Sequence, residues 1–210
     1  MSQPFDGMHT VSRCEWLITT LSLNHNGNIK EKENILNQDF TTTSINQKWS
    51  ADITYIHTEK DGWTYLASVE DLYSRKIIGW AFGKTMDAEL AKKALKNASL
   101  NVKKTKGIIL QTDLGSQYTS NIFEEYLAEL KIRHSYSRKG CPYDNSCIES
   151  FHSILKKEEV NLKKYKDFKE AYNAIFEFIE AWYNRERIHS CLNYKTPDEV
   201  HSEDEESFAA

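Results

Sequence analysis

A chain of 210 residues with 40% hydrophobic and 28% charged side chains suits one globular domain with short terminal additions. No apolar run approaches bilayer-spanning length, and the opening MSQPFDGMHT has no basic stretch leading into an apolar one, so neither a membrane protein nor a secretory signal is expected. The net charge of −4 disfavours nucleic acid only in bulk, because 198–206 holds six acids without Lys or Arg and leaves 27 basic against 25 acidic residues elsewhere.

Residues 1–32 form a poorly defined extension whose one feature is an apolar patch at 16–23. From Glu31 a short helical pattern, carried by Ile35 and Leu36, leads to Phe40 and a polar loop. Three strands follow at 49–56, 63–69 and 76–82, rich in aromatic and β-branched residues, with a turn at 71–75 joining the last two. Short connections predict an antiparallel meander. The spacing of Leu90, Ala94, Leu95 and Ala98 predicts a helix over 87–100 that begins near Asp87. A wholly apolar strand at 107–111 comes next. A helix over 121–130 with Ser120 as N-cap buries Phe123, Tyr126, Leu127 and Leu130. A strand at 132–136, a Gly-Pro loop at 140–142, and helices from about 145 to 160 and 168 to 185 complete the order. Three strands and then alternating helices and strands predict an α/β fold, a mixed five-stranded sheet with helices on both faces, in ribonuclease H-like order. The acidic end, 201–210, is expected to be disordered.

The four cysteines, Cys14, Cys141, Cys147 and Cys191, form no CxxC pair and are expected as free thiols. His9, Cys14 and His25 offer zinc-type ligands, but their spacing fits no standard finger and a fourth is missing, so scattered surface residues are the preferred reading. Lysines cluster twice, at 92–106 and at 156–166; on charge alone a solvated helix surface accounts for both.

Acids interrupt the apolar strands at two places. Asp52 lies inside the strand Trp-Ser-Ala-Asp52-Ile-Thr-Tyr-Ile, and Asp113 ends the strand Ile-Ile-Leu-Gln-Thr-Asp113 before a loop at Gly115. An unpaired buried carboxylate is costly, so each asks for a partner. A salt bridge or turn cap answers for Asp113 alone but suits Asp52 less, since no turn begins there. Two carboxylates on adjacent strands repel unless a cation neutralises them, and Mg²⁺ prefers hard oxygen donors. A third acid follows the Gly-Pro loop. Glu149 adjoins the apolar side marked by Ile148, Phe151, Ile154 and Leu155, with Lys156 seven residues on and about 10 Å along the axis. Asp144 competes for this role, yet at a helix start it has an ordinary duty as a cap.

These segments resemble the catalytic core of retroviral integrases and, more closely, of bacterial insertion-sequence transposases made from two overlapping reading frames. The resemblance runs through Trp-Ser-Ala-Asp52-Ile-Thr-Tyr-Ile, Asp71-Leu-Tyr-Ser-Arg-Lys-Ile-Ile-Gly-Trp80, Gln111-Thr-Asp113-Leu-Gly-Ser-Gln-Tyr118, the stretch 140–156 and Trp182-Tyr-Asn184-Arg-Glu-Arg187-Ile-His189. It covers about 33–200. It implies a catalytic triad of Asp52, Asp113 and Glu149, the last two separated by 35 residues, holding two Mg²⁺ (or Mn²⁺) ions for DNA cleavage and strand transfer. It also implies DNA contacts from Lys156, Lys157, Tyr118 and Arg187, although a plain loop accounts equally well for Tyr118. Transposon ends and target DNA, a homo-oligomer and a cytoplasmic, nucleoid-associated setting are the expected context. Residues 1–30 do not resemble the family's DNA-reading helices, so end recognition is expected to come from elsewhere, from an upstream-frame helix-turn-helix protein or a fused product, or to have been lost. Two rivals stand beside this reading: a catalytically silent truncated remnant that only binds DNA or protein, and a hybrid-cutting nuclease of ribonuclease H type.

Overall fold

The computed structural model describes residues 21–23, 29–100 and 102–209. The chain divides into two units, 1–32 and 33–210. In the first, β1 (Leu21–Leu23) and β2 (Ile29–Glu31) form an antiparallel ribbon that pairs Leu21 with Glu31. The suggested zinc ligands His9, Cys14 and His25 lie outside the described residues.

The second unit is built on five strands: β3 (Lys48–Thr58), β4 (Gly62–Asp71), β5 (Ile77–Gly83), β6 (Ile109–Thr112) and β7 (Arg133–Tyr136). Their order is β5-β4-β3-β6-β7; the first three are antiparallel, while β6 runs parallel to β3 and β7 parallel to β6. This is the expected mixed sheet. Helices α1 (Ala88–Ser99) and α2 (Asn121–Leu130) cover one face, where Trp49, Ala67, Leu95, Leu110 and Phe123 form a core. Helices α3 (Ser146–Glu158) and α4 (Phe168–Phe176) cover the other, over Ile56, Leu66, Ile148, Phe151 and Ile175. Wide, π-helical turns over Glu177–Tyr183 continue α4, and Tyr183 packs edge-on against Phe151 at 4.8 Å. The caps are those expected: Asp87 accepts from the Leu90 N–H, and Ser120 from the Phe123 N–H.

The β4–β5 turn is organised by Asp71. One carboxylate oxygen accepts from the Tyr73 and Ser74 N–H groups and the Ser74 hydroxyl, and the other from the Asn46 N–H. Arg75 closes the turn in the left-handed region at φ 61°. On β5, Gly79 lies under α1. A Cβ there would fall 2.3 Å from the Ala98 nitrogen and 2.6 Å from the Ala94 oxygen, so helix and strand meet backbone to backbone.

Two expectations are corrected. The short helix around Ile35 and Leu36 is absent: Asn34 takes the Asn37 N–H on its side chain, and Asn37 and Gln38 turn left-handed, at φ 44° and 61°. The acidic end is helical, as α5 (Pro197–Ala209). Ser74 gives its proton to Asp71 and so accepts one from His201 Nδ1 at 3.0 Å, while Asp204 accepts from the Ile45 N–H and Asp198 pairs with Lys76. These ties, rather than an apolar face, hold the helix down.

One buried acid gave no signal in the sequence. Glu70, on β4, is 2% exposed, and burial pushes its carboxyl up to about 8 despite the Arg75 guanidinium at 3.8 Å. A carboxyl with a higher pKa folded than unfolded holds its proton more tightly in the fold, so stability falls as pH rises from about 4.5 towards about 8. Glu70→Gln is expected to flatten that fall. Denaturation midpoints near pH 5 and near pH 8 check this, and parallel pH profiles for the two proteins would contradict it.

Candidate active site

The pairing of β3 with β6 runs from Lys48 with Ile109 to Ser50 with Gln111. The same register carried two residues on sets Asp52 beside Asp113, which follows the last residue of β6. Both are half-buried. Asp113 accepts the Gly115 N–H at 2.9 Å, and a Cβ on Gly115 would itself stand 2.9 Å from that carboxylate oxygen, so the loop approaches the acid through a residue without a side chain. Asp52 accepts its own neighbour's N–H, from Ile53, at 2.8 Å, and its other oxygen lies 3.5 Å from His152 Nδ1.

Glu149 and His152 share one side of α3, a turn apart. Two contacts position that helix. Ser50, two residues before Asp52, donates its hydroxyl to the Asn145 side chain at 2.7 Å, both residues being buried. Asp144, 1% exposed, accepts from Asn34, Gln38 and the backbone N–H and guanidinium of Arg138. Burial alone would raise its pKa, but the hydrogen bonds from Arg138 and Gln38 outweigh burial and hold it below the usual carboxylate range. Asp144 lies in a tight 3₁₀ turn (Pro142–Asn145) and caps nothing; it latches the Gly-Pro loop to the 34–38 segment. Its lone pairs are taken, whereas Glu149 is exposed. Sequence reasoning missed the Ser50–Asn145 bond that positions α3 and missed His152 as the neighbour of Asp52; only the three-residue step from Glu149 to His152 could have signalled the latter.

The three acids share a field. Burial raises the pKa of Asp113, and the Asp52 charge raises it further; burial and then Asp52 do the same to Glu149, with His152 opposing. Asp52 therefore couples to acids that arrive from two other elements. Among the described residues, no three His, Cys, Asp or Glu side chains stand close enough to hold an ion as they are. Asp52 and Asp113 each turn one oxygen to a nearby N–H group, of Ile53 and Gly115. The donor chemistry, three carboxylate side chains of which two are made harder to ionise by burial and by the Asp52 charge, fits a hard divalent cation, which would offset the repulsion.

The expected DNA contacts divide. Lys156 sets its ammonium 4.1 Å from the centre of the Tyr55 ring, and Lys157 is exposed. Tyr118 is corrected: it is 1% exposed, packed edge-on against Phe123, with its buried hydroxyl unpartnered in the fields of Asp52 and Asp113, so it underlies the acids instead of lining a groove. Arg187 is not brought to the acids. It reaches Glu158 at 3.5 Å, at the end of α3 and about 13 Å along the axis from Glu149.

Such a sheet, with one acid inside β3 and another just past the end of β6, is that of an integrase-type core. Integrase core domain families match residues 42–142 and residues 130–197, and the chain belongs to the family of integrase-core transposases. The transposase for insertion sequence element IS904 of Lactococcus lactis is 41% identical over 174 residues, 83% of this chain and 68% of that protein. Transposase InsF of insertion sequence IS3A from Escherichia coli is 42% identical over 167 residues, 80% of this chain and 58% of its own, so the chain spans little more than half the length of that relative. Among solved structures, the HTLV-2 integrase catalytic core domain in complex with magnesium superposes with a TM-score of 0.57 at 18% identity, covering 77% of this chain and 99% of that one. That likeness establishes the fold. Among the described residues no helix is long and apolar enough to cross a membrane.

Proposed function

We propose that this chain is the catalytic core of a transposase that cleaves and joins DNA, with Asp52, Asp113 and Glu149 holding two Mg²⁺ or Mn²⁺ ions against a phosphodiester. The observation that most supports this is the register that sets Asp52 beside Asp113 while the Ser50–Asn145 bond ties the start of α3, the helix of Glu149, to β3. Held by these three carboxylates, such ions would supply Lewis acidity to the attacking oxygen and charge neutralisation to the leaving one. The protein's own share is positioning and charge. The Ser50–Asn145 bond fixes the start of α3 against β3, so that Glu149 is presented to Asp52. His152 stands 3.5 Å from the far oxygen of Asp52, and Lys156 offers a cation to a neighbouring phosphate. Water as attacking group gives a nick; a DNA 3′-hydroxyl gives a joined strand.

The partners on this reading are element ends, target DNA and further copies of the chain, with end recognition supplied by an upstream-frame helix-turn-helix protein. Labelled linear DNA incubated with Mg²⁺ or Mn²⁺, and with a chelator as control, tests the proposal. Metal-dependent nicks and joined strands are expected. Cutting confined to RNA–DNA hybrids, or binding without products, would instead support one of the two rivals.

A further inference from the structure

Beyond Ser50 the pairing of β3 with β6 stops, and the next bridge on that side joins Thr58 to Tyr165. Along this stretch, past Asp52, lies a groove of about 630 Å³ whose walls include Tyr55, His57, Trp63, Lys156, Lys163 and Lys164. Tyr55 and Trp63 are 56% and 55% exposed, unusual for such large rings on a sheet. Trp63 meets Tyr55 at 5.2 Å and His57 at 5.1 Å, nearly perpendicular to each, an edge-to-face cluster in which both Tyr55 and Trp63 stay more than half exposed. Lys156 stands over Tyr55. Cross-strand aromatic pairing stabilises a hairpin and accounts for the ring contacts. It does not account for Lys156 and Lys164 beside exposed rings, with Lys163, paired to Glu159 at 2.9 Å, next to them.

We propose that this groove binds unpaired nucleotides of a DNA strand, with bases stacked on Trp63 and Tyr55 and phosphates met by Lys156, Lys163 and Lys164. The inference rests on the reading of Asp52, Asp113 and Glu149 as DNA-processing acids, since Lys156 shares α3 with Glu149. Lysines alone would suit a duplex equally well. The rings decide the class, because base faces are free to stack on protein only where the strand is unpaired. The site therefore selects a frayed or single-stranded segment next to the reacting phosphate.

The test uses the full chain with a chelator, so that no strand is cut, titrated with a blunt duplex and with the same duplex bearing a single-stranded tail. Tryptophan emission and anisotropy are the readouts. The unsubstituted chain is expected to prefer the tailed duplex and to lose emission on binding it. Trp63→Ala and Tyr55→Ala should each weaken tail binding by roughly 5- to 100-fold while blunt-duplex binding changes by less than about 2-fold, and Trp63→Phe should recover part of the loss. Both positions are exposed, and unchanged thermal unfolding shows that the fold is intact. Equal affinity of the unsubstituted chain for both duplexes, or equal losses on both, overturns the inference. Tail preference without any metal-dependent cleavage would keep the groove and remove the catalytic reading; cleavage without tail preference would do the opposite.

Discussion

Asp52→Asn and Glu149→Gln are each expected to lower DNA nicking and joining by roughly 10³-fold or more, with the fold and DNA binding intact. Each change preserves shape and removes one negative charge. Asp52 is the more telling, because it is the charge that both other acids feel. Without it, burial alone would keep raising Asp113 and Glu149, and the like-charge contribution would vanish. In metal-free buffer the Asn variant should therefore unfold no earlier than its parent, and removing the repulsion should make it slightly more stable. A site held together for stability would behave oppositely, losing stability with the charge. Pairing cleavage assays with thermal unfolding distinguishes the cases; undiminished metal-dependent cleavage by purified Asp52→Asn would sink the triad.

Gly79→Ala is expected to destabilise the core by about 1–3 kcal/mol, lowering the unfolding midpoint by roughly 2–12 °C. The added methyl would meet backbone atoms of Ala94 and Ala98, which cannot rotate away as a side chain can. Helix α1 must lift from β5, and the contacts of Leu90, Ala94 and Leu95 with the sheet loosen together. Gly62, with open space where its Cβ would be but a φ of +73°, supplies the contrast. There alanine meets backbone strain alone, about 1 kcal/mol. Thermal unfolding of both variants measures the difference, and a Gly79→Ala midpoint equal to that of the parent would show that helix and sheet are less tightly apposed than described.

Much of this arrangement was legible because it is local. Alternation of apolar residues marks β3 to β5, and Asp87 and Ser120 mark helix starts by their side chains. An acid inside the apolar strand at Asp52 and another at the end of β6 signalled a shared need, and helical spacing separated Glu149 from the core side of α3. What escaped was set by distant partners. Asp144 looks like a cap until Asn34 and Gln38, 110 and 106 residues away, arrive as donors. Tyr118 looks like a loop residue until Phe123 and the strand ends enclose it. The acidic end looks unable to fold because it lacks a broad apolar face; its anchors are single polar contacts to Ser74, Ile45 and Lys76 that no periodicity encodes. Arg187 sits in a motif of the family, yet its ion pair with Glu158 depends on the wide turns that end at Tyr183.

The anchoring of α5 has an electrostatic consequence. The contacts of Asp204 with Ile45 and of His201 with Ser74 hold α5, which carries six acids, near one end of the β3–β4 hairpin, while Lys156, Lys163 and Lys164 gather near the other, about 30 Å away along the strands. A polyanion drifting towards this surface is turned before it touches, pushed from the first end and drawn to the second. Salt should slow that steering more than it weakens the final contacts.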